Sequence, residues 1–454
     1  MGENNGFNKN TGIQSMSPAA LRPAEMAESK TQQAIFITLC ALTGILTGAV
    51  GSYFHLSINY LLLWPQKLAT YFSGVELVAI AAFITMTCTV LGAFLVRRLA
   101  PEASGSGVQE IEGAMEGLRV VRWRRILPVK FTLGVVSLSS GLVLGREGPT
   151  IHIGASLGAA INDFFKSNVI ERRGMLAAGA AAGLACAFNA PLAAVVFVIE
   201  EMQRQFPYSF RTYMGVMVAA LLSTIVAQII GGTAPDFTMP QIAVSLSWLP
   251  GFALLGVLLG LVGVALNSSL LWTGAFAARL HKRIPYLFPA VVGLIVGALF
   301  ILLPLSVGGG EAAVIQLSPT HSSLYFLLGI ACLRFVTMVG SYSSGVPGGI
   351  FAPILGLATC IGLIFSGAMG LILPEAADLS LAFAIAAMGG LFTASVRAPL
   401  VGIILTVELT GSYELIMPLI ATCLAANLSA QLRGGRPIYE QLLDRTLTQA
   451  SKNQ

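Results

Sequence analysis

The segment Gly145–Gly154, GREGPTIHIG, places an arginine and a glutamate between two apolar runs, SLSSGLVL and ASLGAAI. Only 10% of the residues in the chain are charged, so a glutamate in these surroundings stands out. A carboxylate within apolar sequence is costly to bury and usually serves a function. Glycine and proline flank Glu147, and this pattern is typical of a helix that begins at or just after the motif.

The composition outside this segment indicates an integral membrane protein. Hydrophobic residues make up 55% of the chain and the mean hydropathy is +0.80, whereas soluble domains carry about 25% charged residues. Apolar stretches recur from Gln33 to Leu432, which at about 20 residues per helical span allows roughly ten crossings. We therefore predict an all-α polytopic membrane protein and exclude a water-soluble one.

Polar segments at both ends define the predicted domain organisation. Residues 1–31 are expected to form a cytoplasmic tail without a signal peptide, 32–432 the transmembrane domain, and 433–454 a short cytoplasmic segment. By the positive-inside bias, the arginine-rich connection after the second apolar segment is expected to be cytoplasmic, and so is the N-terminus, because two apolar segments precede the connection. The arginines of this connection are Arg97, Arg98, Arg119, Arg122, Arg124 and Arg125. The cluster Arg433, Arg436 and Arg445 predicts the same side for the C-terminus. Such arginines mark topology more often than a nucleic-acid partner, so none is predicted.

Cysteine and histidine do not indicate redox or metal chemistry. The six cysteines lie inside apolar runs without forming close pairs, and we expect them to pack as small hydrophobic residues. The four histidines have no cysteine or carboxylate at ligand spacing. No arrangement of nucleophile and base indicates an enzyme. No metal and no cofactor are predicted.

The apolar segments contain many helix breakers, which membrane helices tolerate where the freed backbone groups line a cavity. Three motifs stand out: GSGVQEIEG at Gly105–Gly113, GREGP at Gly145–Pro149 and GVPGGIFAP at Gly345–Pro353. The spans are therefore expected to be interrupted.

A weak internal repeat suggests two related halves, approximately 32–232 and 248–432. The pattern Ala-Pro-Leu followed by glutamate occurs at Pro191 with Glu200 and again at Pro399 with Glu408. Chance similarity is the alternative in so biased a composition, and the pattern alone leaves the relative orientation of the halves open. Paired halves with broken helices are typical of secondary transporters.

A helix that begins within the membrane attracts an anion, because its first N–H groups lack partners and its dipole is positive there. Burying an ionised carboxylate costs about 2.5–3.5 kcal/mol on insertion scales, whereas a helix N-terminus returns up to about 2 kcal/mol. These terms nearly cancel, so Glu147 is predicted to compete with a mobile anion and to leave when protonated. The alternative is a buried ion pair with Arg146.

Two further glutamates follow the apolar run AAVVFVI. Either Glu200 or Glu201 lies at a water boundary and exchanges protons, or both are interface carboxylates that answer arginines such as Arg204. Glu408, alone in IILTVELTGSY, is predicted to be structural.

The motifs GSGVQEIEG, GREGP, GGIFAP and GRPIYE, with WRRILPVKF and the APLAAVVFVIEEM run between them, resemble the anion-selectivity motifs of the CLC chloride family. The resemblance covers the chain from about Gln33 to Thr446 and is greatest to the bacterial proton/chloride exchangers of that family. It implies two inverted halves, a homodimer with one pathway per subunit, and a bacterial inner membrane.

The resemblance also implies roles for individual residues. Ser106 and Tyr439 are expected to donate hydroxyl groups to a central chloride, with the backbone N–H groups of Ile350 and Phe351 completing its coordination. Glu147 matches the external gating glutamate, and Glu201 matches the internal proton-transfer glutamate. Since both acids are present, chloride/proton exchange is favoured over a passive chloride channel on the same fold.

The chain departs from the family pattern at Val108-Gln109, where Ile-Pro is usual. Because proline is favourable in a first helical turn, glutamine is expected to make this start less rigid. Without the resemblance, Ser106 would be interpreted as a helix cap and Tyr439 as an interfacial tyrosine.

Overall fold

The computed structural model describes residues 30–165, 169–202, 206, 208–232, 237, 239, 242–317 and 323–451. Within them the chain is a succession of helices joined by short connections. In the first part these are α1 (Lys30–Leu61), α2 (Trp64–Leu68), α3 (Gly74–Leu99), α4 (Val108–Met115), α5 (Trp123–Ser139), α6 (Glu147–Phe164), α7 (Val169–Phe188), α8 (Pro191–Glu201) and α9 (Phe210–Gly231).

The second part of the chain continues the same architecture after the connection that follows α9. Its helices are α10 (Leu249–Arg283), α11 (Leu287–Leu302), α12 (Glu311–Gln316), α13 (Leu324–Ser343), α14 (Phe351–Gly370), α15 (Glu375–Asp378), α16 (Ser380–Val396), α17 (Pro399–Thr410), α18 (Ile416–Leu432) and α19 (Ile438–Ser451). Arg204 and His321 lie outside the described residues.

Among the described residues, seven helical segments are long and apolar enough to cross a membrane, and they confirm a polytopic all-α fold. They are Lys30–Leu68, Gly74–Leu99, Phe210–Gly231, Leu246–Arg283, Leu324–Ser343, Phe351–Gly370 and Tyr413–Leu432. Three other apolar helices, α11, α16 and α17, are shorter than these seven segments and are not counted among them. The broken helices predicted from the glycines and prolines are therefore present.

The repeat found in the sequence corresponds to a symmetric pair of helices. Pro191 begins α8 and Pro399 begins α17, where proline is favourable because the first N–H of a helix needs no acceptor. The Glu200 carboxylate, near the end of α8, accepts hydrogen bonds from the N–H groups of Leu400 (3.1 Å) and Val401 (2.8 Å) at the start of α17.

The reverse contact is equivalent. Glu408, near the end of α17, accepts from Leu192 N (3.1 Å) and Ala193 N (2.6 Å) at the start of α8. Each helix therefore caps the beginning of the other, so the two run antiparallel, as expected of inverted halves. This contact also confirms that Glu408 is structural.

Glycines let the helices of the interior approach closely. A Cβ on Gly179 of α7 would overlap the carbonyl oxygen of Gly154 in α6, and one on Gly44 of α1 would overlap that of Ala219 in α9. Small residues of this kind allow backbones to pack in a membrane, where burial of apolar surface does not drive association.

The cysteines are all free. Four are buried and Cys88 is half-buried, whereas Cys332 on α13 is exposed. The expectation that all six pack in the interior is therefore wrong for Cys332, because an apolar helix in a membrane has a lipid-facing side as well as a packed one.

The polar end of the chain returns to the body of the protein. Ile438 and Tyr439 at the start of α19 are fully buried, and both belong to the main hydrophobic core. The packed structure thus extends beyond Leu432 and brings a tyrosine into the interior.

Candidate anion site

The three breaker motifs, distant in sequence, are joined by backbone hydrogen bonds. Gly105 N–H donates to Val346 O (3.0 Å), and Gly348 N–H donates to Gly105 O (3.0 Å). Gly145 and Gly349 exchange two hydrogen bonds, of 2.8 and 2.7 Å. The starts of α4, α6 and α14, which begin within these motifs, therefore lie around one point.

Glu147 is the first residue of α6 and is fully buried. Its Oε2 accepts a hydrogen bond from the backbone N–H of Ala352, in the first turn of α14, at 3.5 Å, and its Oε1 has no hydrogen-bond partner in the described part of the chain. The carboxylate therefore lies at the N-terminal ends of two helices, where their dipoles favour negative charge.

The neighbouring Arg146 is directed to another acid. Its guanidinium pairs with the carboxylate of Glu311, the first residue of α12, at 3.4 Å. The Arg146 side chain is 13% exposed and that of Glu311 is 45% exposed. Arg146 therefore pairs with Glu311. The alternative interpretation of this motif, an ion pair between Arg146 and Glu147, is not observed.

Ser106 is fully buried, and its hydroxyl has no hydrogen-bond partner among the residues that the structure describes. A Cβ on Gly148 would overlap Ser106 Oγ, so the hydroxyl lies against the first turn of α6. Ser106 is not the helix cap that its residue type suggests. The cap of α4 is Gly107, whose φ of 93° is in the left-handed region that favours glycine.

His152 of α6 lies against the loop at Gly107. Its ring is buried against this glycine, because a Cβ there would overlap Nδ1, and neither ring nitrogen has a hydrogen-bond partner. Gln109, the residue that departs from the family pattern, is 8% exposed and its Oε1 also lacks a partner.

The reasoning from sequence missed Lys130 of α5, which is fully buried. Its ammonium group donates hydrogen bonds to Ala103 O (3.0 Å) and Gly105 O (2.6 Å). The sequence could have indicated Lys130, because a lysine inside an apolar helical run must satisfy its charge locally. Lys130 therefore fixes the loop that carries Ser106.

Aromatic rings surround the beginning of α14. The ring of Phe351 lies 5.9 Å from Tyr439, 5.5 Å from Phe197 and 4.9 Å from Phe392. Within the described residues, the backbone N–H groups of Ile350 and Phe351 have no hydrogen-bond acceptor. Phe197 and Phe392 were not identified from sequence, since they lie in apolar runs like many other phenylalanines.

Tyr439 is fully buried, and within the described residues its hydroxyl has no hydrogen-bond partner. The same is true of the Ser106 hydroxyl, and the Tyr439 ring lies against that of Phe351. Buried polar groups are rarely left unsatisfied, so these two hydroxyls and the free amides form a coherent set of donors. The structure thus brings together Ser106, Glu147, Ile350, Phe351 and Tyr439.

Glu201 lies elsewhere, at the end of α8. It faces a cavity of about 260 Å³ that is lined by six acids and one arginine among its polar residues. These are Glu112, Glu116, Glu200, Glu201, Glu440, Asp444 and Arg397. Pro437 and Glu440, on either side of Tyr439, line the same cavity, so the start of α19 lies between the cavity and the aromatic rings.

The two adjacent acids of α8 have different environments. Both oxygens of Glu200 accept backbone hydrogen bonds from α17, whereas Glu201 accepts no hydrogen bond within the described part of the chain. Of the two, only Glu201 lacks these backbone partners within the described residues.

Comparison with known proteins identifies the relatives of this chain. The family model for the voltage gated chloride channel matches residues 88–431. The H(+)/Cl(-) exchange transporter ClcA of Vibrio parahaemolyticus is 43% identical over 90% of this chain and 90% of its own length. The Salmonella typhi protein of the same name is 41% identical, with coverage of 94% and 93%.

A solved structure shares the fold over nearly the whole chain. The crystal structure of a slow cyanobacterial Cl-/H+ antiporter superposes with a TM-score of 0.88 at 35% identity, and covers 92% of this chain and 99% of that one. Three observations indicate the same family: the match of the family model, the sequence identity to these relatives, and the helix starts joined by backbone hydrogen bonds. The chain belongs to the voltage gated chloride channel family, the CLC family.

Proposed function

We propose that this protein exchanges chloride for protons across a membrane. The observation that carries the proposal is the position of Glu147, whose carboxylate occupies the start of α14 beside hydroxyls and amides that have no other partner. The relatives named as H(+)/Cl(-) exchange transporters and the cyanobacterial antiporter support the same activity.

The central anion site is formed by partial charges. The hydroxyls of Ser106 and Tyr439 and the N–H groups of Ile350 and Phe351 point to a chloride site, because all four can donate and none has a protein acceptor. Such donors bind an anion without the strong hold of a direct cation contact. Conduction requires this moderation, since the ion must leave as well as enter.

Glu147 acts in this proposal as a movable anion. When ionised, it fills the place at the start of α14 where a chloride would otherwise bind. When protonated, it loses its attraction to the helix dipoles and leaves, so a chloride takes its place. One side chain therefore couples the occupancy of an anion site to a proton.

Glu201 supplies the second proton site. Its carboxylate faces the acid-lined cavity, which gives water access to a group whose neighbour Glu200 is already engaged. The start of α19, which carries Tyr439, lines this cavity and also contacts the Phe351 ring.

The resemblance to the bacterial relatives also supports a proposal for the membrane, the topology and the oligomeric state. We infer a multi-pass protein of the bacterial inner membrane with both termini in the cytoplasm, in agreement with the arginine-rich connection before α5. We also infer a homodimer in which each subunit has its own pathway. Exposed apolar residues on α9 and α18, such as Ile229 (78%) and Leu428 (59%), offer surface for a partner or for lipid.

The experiment that tests the proposal is chloride flux in liposomes with simultaneous measurement of protons. A chloride gradient imposed across the membrane should drive protons uphill in the opposite direction. Chloride flux without proton movement would overturn the exchange proposal and favour a passive channel on the same fold. Absence of both fluxes from protein shown to be folded would overturn the transport function itself.

A further inference from the structure

A groove lies between α3 and α5, and none of its lining residues belongs to the candidate anion site. It has a volume of about 630 Å³, within the range of about 300–1,000 Å³ that is typical of small-molecule sites. The residues important here are Arg98 and Leu99 of α3 and Arg125, Val129, Thr132 and Leu133 of α5.

The floor of the groove is apolar. Val129 is 8% exposed and Leu133 is 9% exposed. Together with Val96, Ala100 and Ala103 they form a hydrophobic cluster separate from the main core. The groove thus presents a hydrocarbon surface at the end of α3, a helix that is long and apolar enough to cross the membrane.

Two arginines lie at the groove. Neither the Arg98 nor the Arg125 side chain makes a hydrogen bond or ion pair within the described part of the chain, and no carboxylate of that part lines the groove. Guanidinium groups bind phosphate through paired hydrogen bonds. Arginines at the end of a membrane-spanning helix lie at the depth of the lipid headgroups.

We propose that this groove binds an anionic phospholipid, with its phosphate between Arg98 and Arg125 and an acyl chain along Val129 and Leu133. Unpaired positive charge and an apolar floor in one depression match the two parts of such a lipid. Basic pockets between membrane helices recognise anionic headgroups in this way. A soluble phosphate would use only the arginines and would leave the apolar floor uncovered.

The test is native mass spectrometry of the full chain in detergent, titrated with phosphatidylglycerol or with phosphatidylcholine. We expect the parent to retain phosphatidylglycerol preferentially, and the variant Arg98→Gln/Arg125→Gln to bind it roughly tenfold more weakly or worse. The matched control is Arg97→Gln/Arg124→Gln, which removes the same charge from exposed arginines of the same region that do not line the groove. This control should bind the lipid like the parent.

A second variant tests the acyl chain independently of charge. Thr132 is exposed and lines the groove, so Thr132→Trp should fill the groove and lower phosphatidylglycerol binding while the arginines remain. Equal loss in both arginine double variants would overturn the proposal in favour of a diffuse basic surface. Full competition by glycerol phosphate, unchanged binding in Thr132→Trp, or equal binding of phosphatidylcholine would overturn it as well.

Discussion

The environment of Glu147 combines features that oppose each other. The residue is fully buried, yet one of its oxygens accepts a hydrogen bond from Ala352 N and the other has no partner. A purely structural carboxylate at a helix start would be expected to satisfy both oxygens, as those of Glu200 and Glu408 do. The incomplete satisfaction is consistent with a side chain that occupies the site for only part of a cycle.

We expect Glu147→Ala to conduct chloride without moving protons, because the amides at the start of α14 remain while the titratable group is gone. Chloride-driven proton movement into liposomes should fall to the level of protein-free liposomes. Glu375→Ala, at an exposed position of α15, is the control and should remain coupled. Proton coupling equal to that of the parent in Glu147→Ala would remove Glu147 from the mechanism.

Glu201→Gln should abolish proton transport and leave chloride flux, since glutamine preserves the size of the side chain but cannot carry a proton. The adjacent Glu200→Gln is the matched control, because Glu200 is engaged by the backbone of α17. The same paired flux assay distinguishes them. Loss of coupling in Glu200→Gln with normal coupling in Glu201→Gln would reverse the assignment.

Tyr439→Phe should weaken chloride binding measured by calorimetry by about 0.5–1.5 kcal/mol, or roughly 2- to 10-fold, which is the usual range for one hydrogen bond. Phenylalanine keeps the ring contact with Phe351, so the change reports on the hydroxyl alone. Tyr286→Phe is the control, since that ring packs against His281. Equal affinities in parent and Tyr439→Phe would exclude the hydroxyl from the site.

At the level of elements, α8 and α17 stabilise each other through their ends. The carboxylates of Glu200 and Glu408 satisfy N–H groups that a helix start cannot satisfy internally, and each also opposes a positive dipole end. The arrangement is symmetric because the two helices are equivalent parts of inverted halves.

Glu200→Ala and Glu408→Ala should therefore each lower the free energy of unfolding by about 1–2 kcal/mol. The effects should be similar in size, because the contacts are equivalent. Denaturant unfolding of the purified protein in detergent measures the change, with Glu414→Ala at an exposed position as control. A large effect of one variant and none of the other would contradict the symmetric capping.

At the level of the whole molecule, one chain supplies every residue of the candidate site. Ser106, Glu147, Phe351 and Tyr439 belong to four different helical starts, and backbone hydrogen bonds between Gly105, Gly145 and the α14 motif hold three of these together. The site is therefore complete without a partner subunit, which is compatible with a dimer that contains two independent pathways.

A mixed dimer tests this independence. A tandem fusion of the parent chain with a Glu201→Gln chain should show about half the proton transport of the parent fusion at similar chloride flux. Light scattering should first give the unfused protein a mass of about twice 47.5 kDa in mild detergent. Complete loss of proton transport in the mixed fusion would show that the two subunits share one proton route.

Individual residues show how much of the structure could be predicted from the sequence. Helices were predicted to begin at or just after GREGP and GGIFAP, and α6 and α14 begin within these motifs, at Glu147 and Phe351, because glycine and proline act on the local backbone. The burial of Tyr439 required the family resemblance, since a tyrosine near a polar chain end is more often interfacial. Lys130, Phe197 and Phe392 were missed, because their importance depends on neighbours from other helices.

The sequence by itself determined that the chain is a membrane protein of broken helices, since apolar length, scarce charge and helix breakers act locally along the chain. Only the tertiary structure decided which breaks meet, that Arg146 turns to Glu311, and that Glu200 caps a helix while Glu201 faces a cavity. Those outcomes depend on contacts between residues distant in sequence. Such contacts are set by how helices pack against each other, which no local pattern specifies.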